Sequence, residues 1–177
     1  DKFIPEFSEE YFNSLVKETK AEISTDALKV IFDPKIAAKR KNKNPEVDMI
    51  AESSNNFYAE GVTQKMVEEF YEERIDVNNP RPIEFGLNST MVLVDGILKE
   101  DVWKSGGRYG KAIDKIIFWL EKASTVAENK IQKEALLKLI EYYQTGDLAI
   151  WDEYNILWAQ STNGDIDWIN GFIETYG

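Results

Sequence analysis

The sequence predicts a mainly α protein of the α+β class: a bundle-like set of helices with one short β-hairpin and a C-terminal strand. Three observations carry this. Apolar residues recur at three- and four-residue steps along most of the chain, the period of a buried helix face. Asp95-Gly96 lies between two apolar runs, a strong signal for a two-residue hairpin turn. From Ile166 to Tyr176 the pattern changes to alternation, the period of a strand.

Taken in order, Ser8 is a good N-cap for a first helix, with Glu9 and Glu10 in its electropositive first turn. Tyr11, Phe12, Leu15 and Val16 form its apolar stripe. A second apolar cluster, Ala27, Leu28, Val30, Ile31 and Phe32, precedes Pro34, which ends that helix. Residues 34–61 are Asn-rich and broken by Pro45, so a loop or short helices are expected. Thr63 then caps a helix to about Arg74 that buries Met66, Val67 and Phe70. After the breaker NNPRP, the alternating Ile83, Phe85 and Leu87, the run Met91–Val94, and Ile97–Leu98 beyond the turn predict two short strands.

Three antiparallel helices follow, over about 111–124, 126–144 and 148–160. Gly146 suits the end of the second, and Asp147 caps the third. Trp151, Tyr154, Leu157 and Trp158 form an aromatic stripe on the third helix, expected to be core rather than ligand platform. The chain thus divides into helices and irregular loop over 1–62, helix plus hairpin over 63–104, the helix trio over 105–160, and a terminal strand over 165–177. The approach Ser105-Gly106-Gly107-Arg108-Tyr109-Gly110 lacks both the Lys-Ser/Thr ending and the preceding strand of nucleotide-binding loops, so no phosphate site is read there.

Charge and composition narrow the function. Acidic residues outnumber basic ones by 32 to 21, a net charge of −11, which disfavours nucleic-acid backbones and anionic membranes as partners. The one basic run, Lys35 to Lys43, reads as a solvated helix end or loop. No apolar stretch reaches the roughly 20 residues of a membrane helix. There is no cysteine, hence no disulfide, and the compartment stays open. In the terminal stretch Ile166, Trp168, Asn170, Phe172, Glu174 and Tyr176 share one strand face. A carboxylate on a mostly apolar face is either at a solvent-reached strand end or placed to meet a cation.

The run GDLAIWDEYNILWAQSTNGDIDWINGFIETYG resembles the zinc-dependent dipeptidyl peptidase III family, peptidase family M49, particularly its bacterial members. The likeness continues upstream through KFIPEFSEEYFNSLV, NNFYAEGVTQKMVEEFY, PIEFGLNST, WKSGGRYGKAIDKIIFWLEKASTVAENKIQ and LIEYYQTGD, in order across nearly the whole chain. Its most specific segment is INGFIETYG. The resemblance implies that Glu174 reads the free amino terminus of a peptide substrate and that Tyr176 lines the cleft. It also implies a mixed lobe of helices around a small barrel, facing a zinc-bearing helical lobe.

That family holds zinc on a His-Glu-X-X-Gly-His helix with a further glutamate. This chain has no histidine and no cysteine, so no zinc site and no catalytic residue is assigned to it. The expectation is a substrate-anchoring, non-catalytic segment of a larger exopeptidase, inactive alone. Its partners would be the peptide N-terminus and the remainder of the peptidase. The alternatives are a helical, aromatic-rich module binding carbohydrate or peptide, or a scaffold without a ligand.

Overall fold

The computed structural model describes residues 2–171. Within it the chain folds as two compact units, one up to Gln64 and one from Lys65 onward.

In the first unit, helix α1 (Glu9–Thr19) starts where Ser8 Oγ accepts from Tyr11 N at 3.2 Å. It stops at Lys20, whose left-handed backbone (φ 56°) turns the chain out of the helix. Helix α2 (Thr25–Phe32) is capped by Ser24, whose Oγ accepts from Ala27 N, and it ends at Asp33, ahead of Pro34 as expected. Phe7, Phe12 and Phe32 cluster between the two helices, with Phe12 edge-on to Phe32 at 5.6 Å. Neither helix has a fully buried residue, and Tyr11 and Leu15 of the expected stripe are exposed.

Residues 34–61 form no long helix. Their Asn and Asp side chains take up neighbouring backbone N–H groups instead: Asn42 from Asn44, Asn44 from Glu46, and Asp48 from Ile50 and Ala51. Asp48 also receives Gln64 N at the start of α3 (Gln64–Glu72). These backbone donors, Ala51 first, hold the Asp48 carboxyl below its ordinary range.

The second unit carries the hairpin β1 (Ser89–Val94) and β2 (Ile97–Val102), antiparallel from Ser89↔Val102 to Val94↔Ile97. Asp95 (φ 53°) and Gly96 (φ 76°) both adopt left-handed backbone, the geometry that matches strand twist in a two-residue turn. The two strands stand on either side of the turn, as expected, and the alternating Ile83, Phe85 and Leu87 lie ahead of β1, outside it. Ile83 and Leu87 pack onto the helical core, and Phe85 stacks on Tyr71 at 5.4 Å. Residues 85–88 turn, with Gly86 at φ 80°, so these side chains pack inward from a turn and not from a paired strand.

Helices α4 (Gly110–Thr125), α5 (Lys130–Thr145) and α6 (Leu148–Gln160) pack in sequence order, α4 on α5 and α5 on α6. The start of α5 falls later than expected because Asn129, whose Oδ1 accepts from Gln132 N at 2.9 Å, is the cap. Asp147 caps α6 through Ala149 N, and Gly146 closes α5 at φ 73°, both as expected. Ala135, Leu139, Tyr142, Leu148 and Tyr154 form the α5–α6 core, with Ile113, Ile117 and Ile140 between α4 and α5.

Polar side chains tie the hairpin together, to Tyr71 of α3 and to the α5–α6 junction. Asn88 Nδ2 donates to Gly146 O at 3.0 Å, and Trp103 Nε1 donates to Thr90 Oγ1 at 3.0 Å. The Glu100 carboxylate accepts from Ser89 Oγ at 2.7 Å and from Tyr71 OH at 2.9 Å. Such groups are tolerated inside because each meets a partner.

Candidate functional site

The chain beyond α6 is where sequence reasoning placed the function. The expected strand does not form over residues 166–171: among the described residues no strand runs alongside them, and side chains of α5, α6 and the loop before α5 take the place of a ladder.

The hold begins at Glu128. Its exposed carboxylate accepts from Asp165 N at 3.0 Å and Ile166 N at 3.1 Å. These two donors, Asp165 first, hold the carboxyl below its ordinary range, because both stabilise the charged form. Gly164 makes the approach possible, since a Cβ there would press on Glu128 Oε2. Gln132, buried on the first turn of α5, is the hub. Its Oε1 accepts from Glu128 N at 2.6 Å, and its Nε2 donates to Glu128 Oε2 at 3.3 Å and to Ile166 O at 3.0 Å. The cap residue Asn129 donates to Asn163 O.

Farther along, Trp158 Nε1 is shared between Asp167 Oδ1 at 3.0 Å and Trp168 O at 2.9 Å. Trp168 packs on the α5–α6 core, and its Nε1 donates to Tyr154 OH at 3.1 Å. Burial, only partly offset by this bond, pushes the Tyr154 hydroxyl up to about 12. Tyr143 OH donates to Asn170 Oδ1 at 2.9 Å, and burial raises its hydroxyl as well. From Asn163 to Asn170 the chain is therefore held by six residues of α5, α6 and the loop before α5: Glu128, Asn129, Gln132, Tyr143, Tyr154 and Trp158.

The expected common face is kept in part. Trp168 and Asn170 turn inward and Ile169 points out, but Ile166 is exposed. Glu174 and Tyr176 lie outside the described residues.

The aromatic stripe of α6 is core, as expected: Tyr154 is buried, and Trp151, Leu157 and Trp158 pack around it. The holding residues Glu128 and Gln132 were missed by sequence reasoning. A signal for them existed: Asn129 followed three positions later by Gln132 is a capping-box pattern, and that glutamine reaches back over the helix start.

A zinc site with imidazole or thiolate ligands cannot be assembled from this chain. The chain lacks His and Cys, and among the described residues no three Asp or Glu side chains converge. In the Gly-rich approach to α4, Arg108 Nε donates to Asp101 Oδ2 at 2.7 Å.

A model of peptidase family M49 matches residues 89–177, which runs from the hairpin through α4–α6 and the held segment. No curated protein matches the chain.

Proposed function

Since this chain belongs to peptidase family M49, we propose that its segment ending in Glu174-Thr175-Tyr176 is the substrate-anchoring wall of a zinc-dependent dipeptidyl peptidase. That enzyme would remove dipeptides from the N-termini of peptides. The Glu174 carboxylate accepts hydrogen bonds from the substrate's terminal ammonium, a charge-assisted pairing that fixes which peptide bond is reached. Tyr176, two residues on, lines the cleft beside the bound dipeptide.

The observation that carries this reading is the platform under residues 163–170. Its last fixed residue, Asn170, stands four positions before Glu174, with Tyr143 OH on its side chain at 2.9 Å. A carboxylate that selects a substrate end must be pre-positioned, because a mobile one loses affinity to the ordering of its own chain. The hydrogen bonds of Glu128, Gln132 and Trp158 supply that order immediately upstream.

The zinc and the general base belong to chain outside these residues, because the donor set present here does not fit the metal. No step of hydrolysis is assigned to this chain, whose own work is to bind, orient and select. The aromatic residues that suggested a carbohydrate-binding module are largely used in packing: Trp151, Trp158 and Trp168 all lie against the α5–α6 core.

The test is Glu174→Gln in the intact peptidase, assayed on dipeptidyl arylamides. Losing one charge-assisted pairing lowers kcat/KM by roughly 10- to 100-fold, chiefly through KM. A substrate whose amino terminus is acetylated should show no such dependence. Unchanged kcat/KM for the free-amine substrate sinks the anchoring role.

A further inference from the structure

The outward face of α4 differs from the rest of this acidic chain. At 100° per residue, Lys111, Lys115, Phe118, Trp119, Lys122 and Val126 fall on one side, opposite the buried Ile113 and Ile117. All six are exposed, and Trp119 is 68% exposed and Val126 77%. Phe118 and Trp119 meet edge to face at 5.1 Å, with Lys122 Nζ at 5.4 Å from the Phe118 ring centre. None of the three lysines pairs with a carboxylate among the described residues, although acidic residues outnumber basic ones in the chain.

Three other lysines of this unit, Lys65, Lys130 and Lys138, do pair with carboxylates. Lys138 reaches Glu141 and Glu153, and Lys130 reaches Glu134. Asp114, on the flank of α4, takes the Ser105 hydroxyl. The α4 face therefore keeps its positive charge and its two rings unmatched.

We propose that this face is a docking surface for an acidic polypeptide segment carrying an aromatic or aliphatic side chain. Charge complementarity selects the occupant. The lysines stand about 6 Å and about 10 Å apart along the helix axis, a spacing met by carboxylates on one side of a helix or of an extended segment. The apolar residue covers Trp119 and Phe118, and an exposed tryptophan is the kind of side chain in which binding energy concentrates at interfaces.

An anionic bilayer presents the same sign of charge but fits less well. A flat surface also meets the flanking Asp114 and Glu121 and the charge of a chain at −11. A narrow segment lying along α4 meets only the stripe, since charges beyond about 8 Å are screened at physiological salt. The inference is independent of Glu174 and of the peptidase reading.

The test titrates the full chain into a short fluorescein-labelled peptide of Glu, Ala and Phe, read by anisotropy. The control peptide has Lys in place of each Glu. Saturable binding of the acidic peptide alone, weakened by added salt, is expected. Trp119→Ala should weaken it by roughly 30-fold, and Lys115→Glu with Lys122→Glu should abolish it at unchanged helical circular dichroism. If the charge reversal disturbs folding, the milder Lys115→Gln with Lys122→Gln decides by the same loss. Equal binding of both peptides, or indifference to these substitutions, overturns the proposal. So does binding to phosphatidylserine vesicles with none to the acidic peptide, which would make the face a membrane surface.

Discussion

Gln132 shows how much one buried amide can fix. Its side chain's hydrogen bonds join the loop before α5, the Glu128 carboxylate and the backbone of Ile166, 34 residues away. Gln132→Leu keeps the bulk but strands the donors and acceptors it served. A loss of about 1–3 kcal/mol is expected, read as a lower urea midpoint at unchanged slope. Glu128 adds a pH dependence whose sign follows from its partners. Its carboxyl is held below the ordinary value of 4.5 by the N–H groups of Asp165 and Ile166. The contribution is therefore present above the unfolded value and is lost as pH falls through the folded one. Hydrogen exchange at the Asp165 and Ile166 amides should accelerate below about pH 4.5, beyond the intrinsic trend, and Glu128→Gln should remove that acceleration. An exchange profile identical in the two proteins would mean Glu128 does not hold the segment.

At the scale of elements, the junction between α5 and α6 is the tightest constraint. Gly146 ends α5 at φ 73°, and a Cβ there would collide with Val102 Cγ1 at the end of β2. Its carbonyl also receives Asn88 Nδ2 from the residue before β1. The glycine is needed twice over, for its left-handed backbone and for the close approach of the hairpin. Gly146→Ala should cost about 2–5 kcal/mol, the sum of left-handed strain and overpacking, and a thermal melt checks it. By contrast, a Cβ at Gly96 meets nothing within 4 Å, so only the backbone term applies there. Gly96→Ala should therefore cost about 1–2 kcal/mol. Equal costs at the two positions would show that the contact with Val102 is relieved by a shift of the hairpin.

For the whole molecule, the decisive fact is compositional. A chain with no His and no Cys cannot supply the nitrogen and sulfur ligands of a catalytic zinc, although it belongs to a metallopeptidase family. The isolated chain, given zinc, is expected to release no arylamine from dipeptidyl arylamides, and chelator should make no difference. Zinc-dependent turnover by a preparation of confirmed mass would overturn the division of labour proposed above. The matched region is also where the structure is most interlocked. The helix trio shares the cores around Tyr154 and Ile140, Trp168 of the held segment packs on the first, and Trp103, next after β2, packs on the second.

The sequence by itself determined the order of the helices, the Asp95-Gly96 hairpin, the Ser8 and Asp147 caps, the burial of the α6 stripe, and the family. All but the family rest on local signals: a repeat of apolar residues, a turn dipeptide, a cap within one helical turn. The tertiary structure decided which alternating stretches become strands. Ile83–Leu87 and residues 166–171 both carry the alternating pattern, yet among the described residues neither pairs with a strand. Alternation reports only that one face is apolar, and a helical surface satisfies that face as well as a sheet does. It cannot name the backbone's partner. The groups that hold residues 163–170 come from positions 27 to 38 residues earlier or from the turn of α6, and no local repeat encodes those distances. Only packing α5 against α6 brings Glu128, Gln132 and Trp158 to the same stretch of chain.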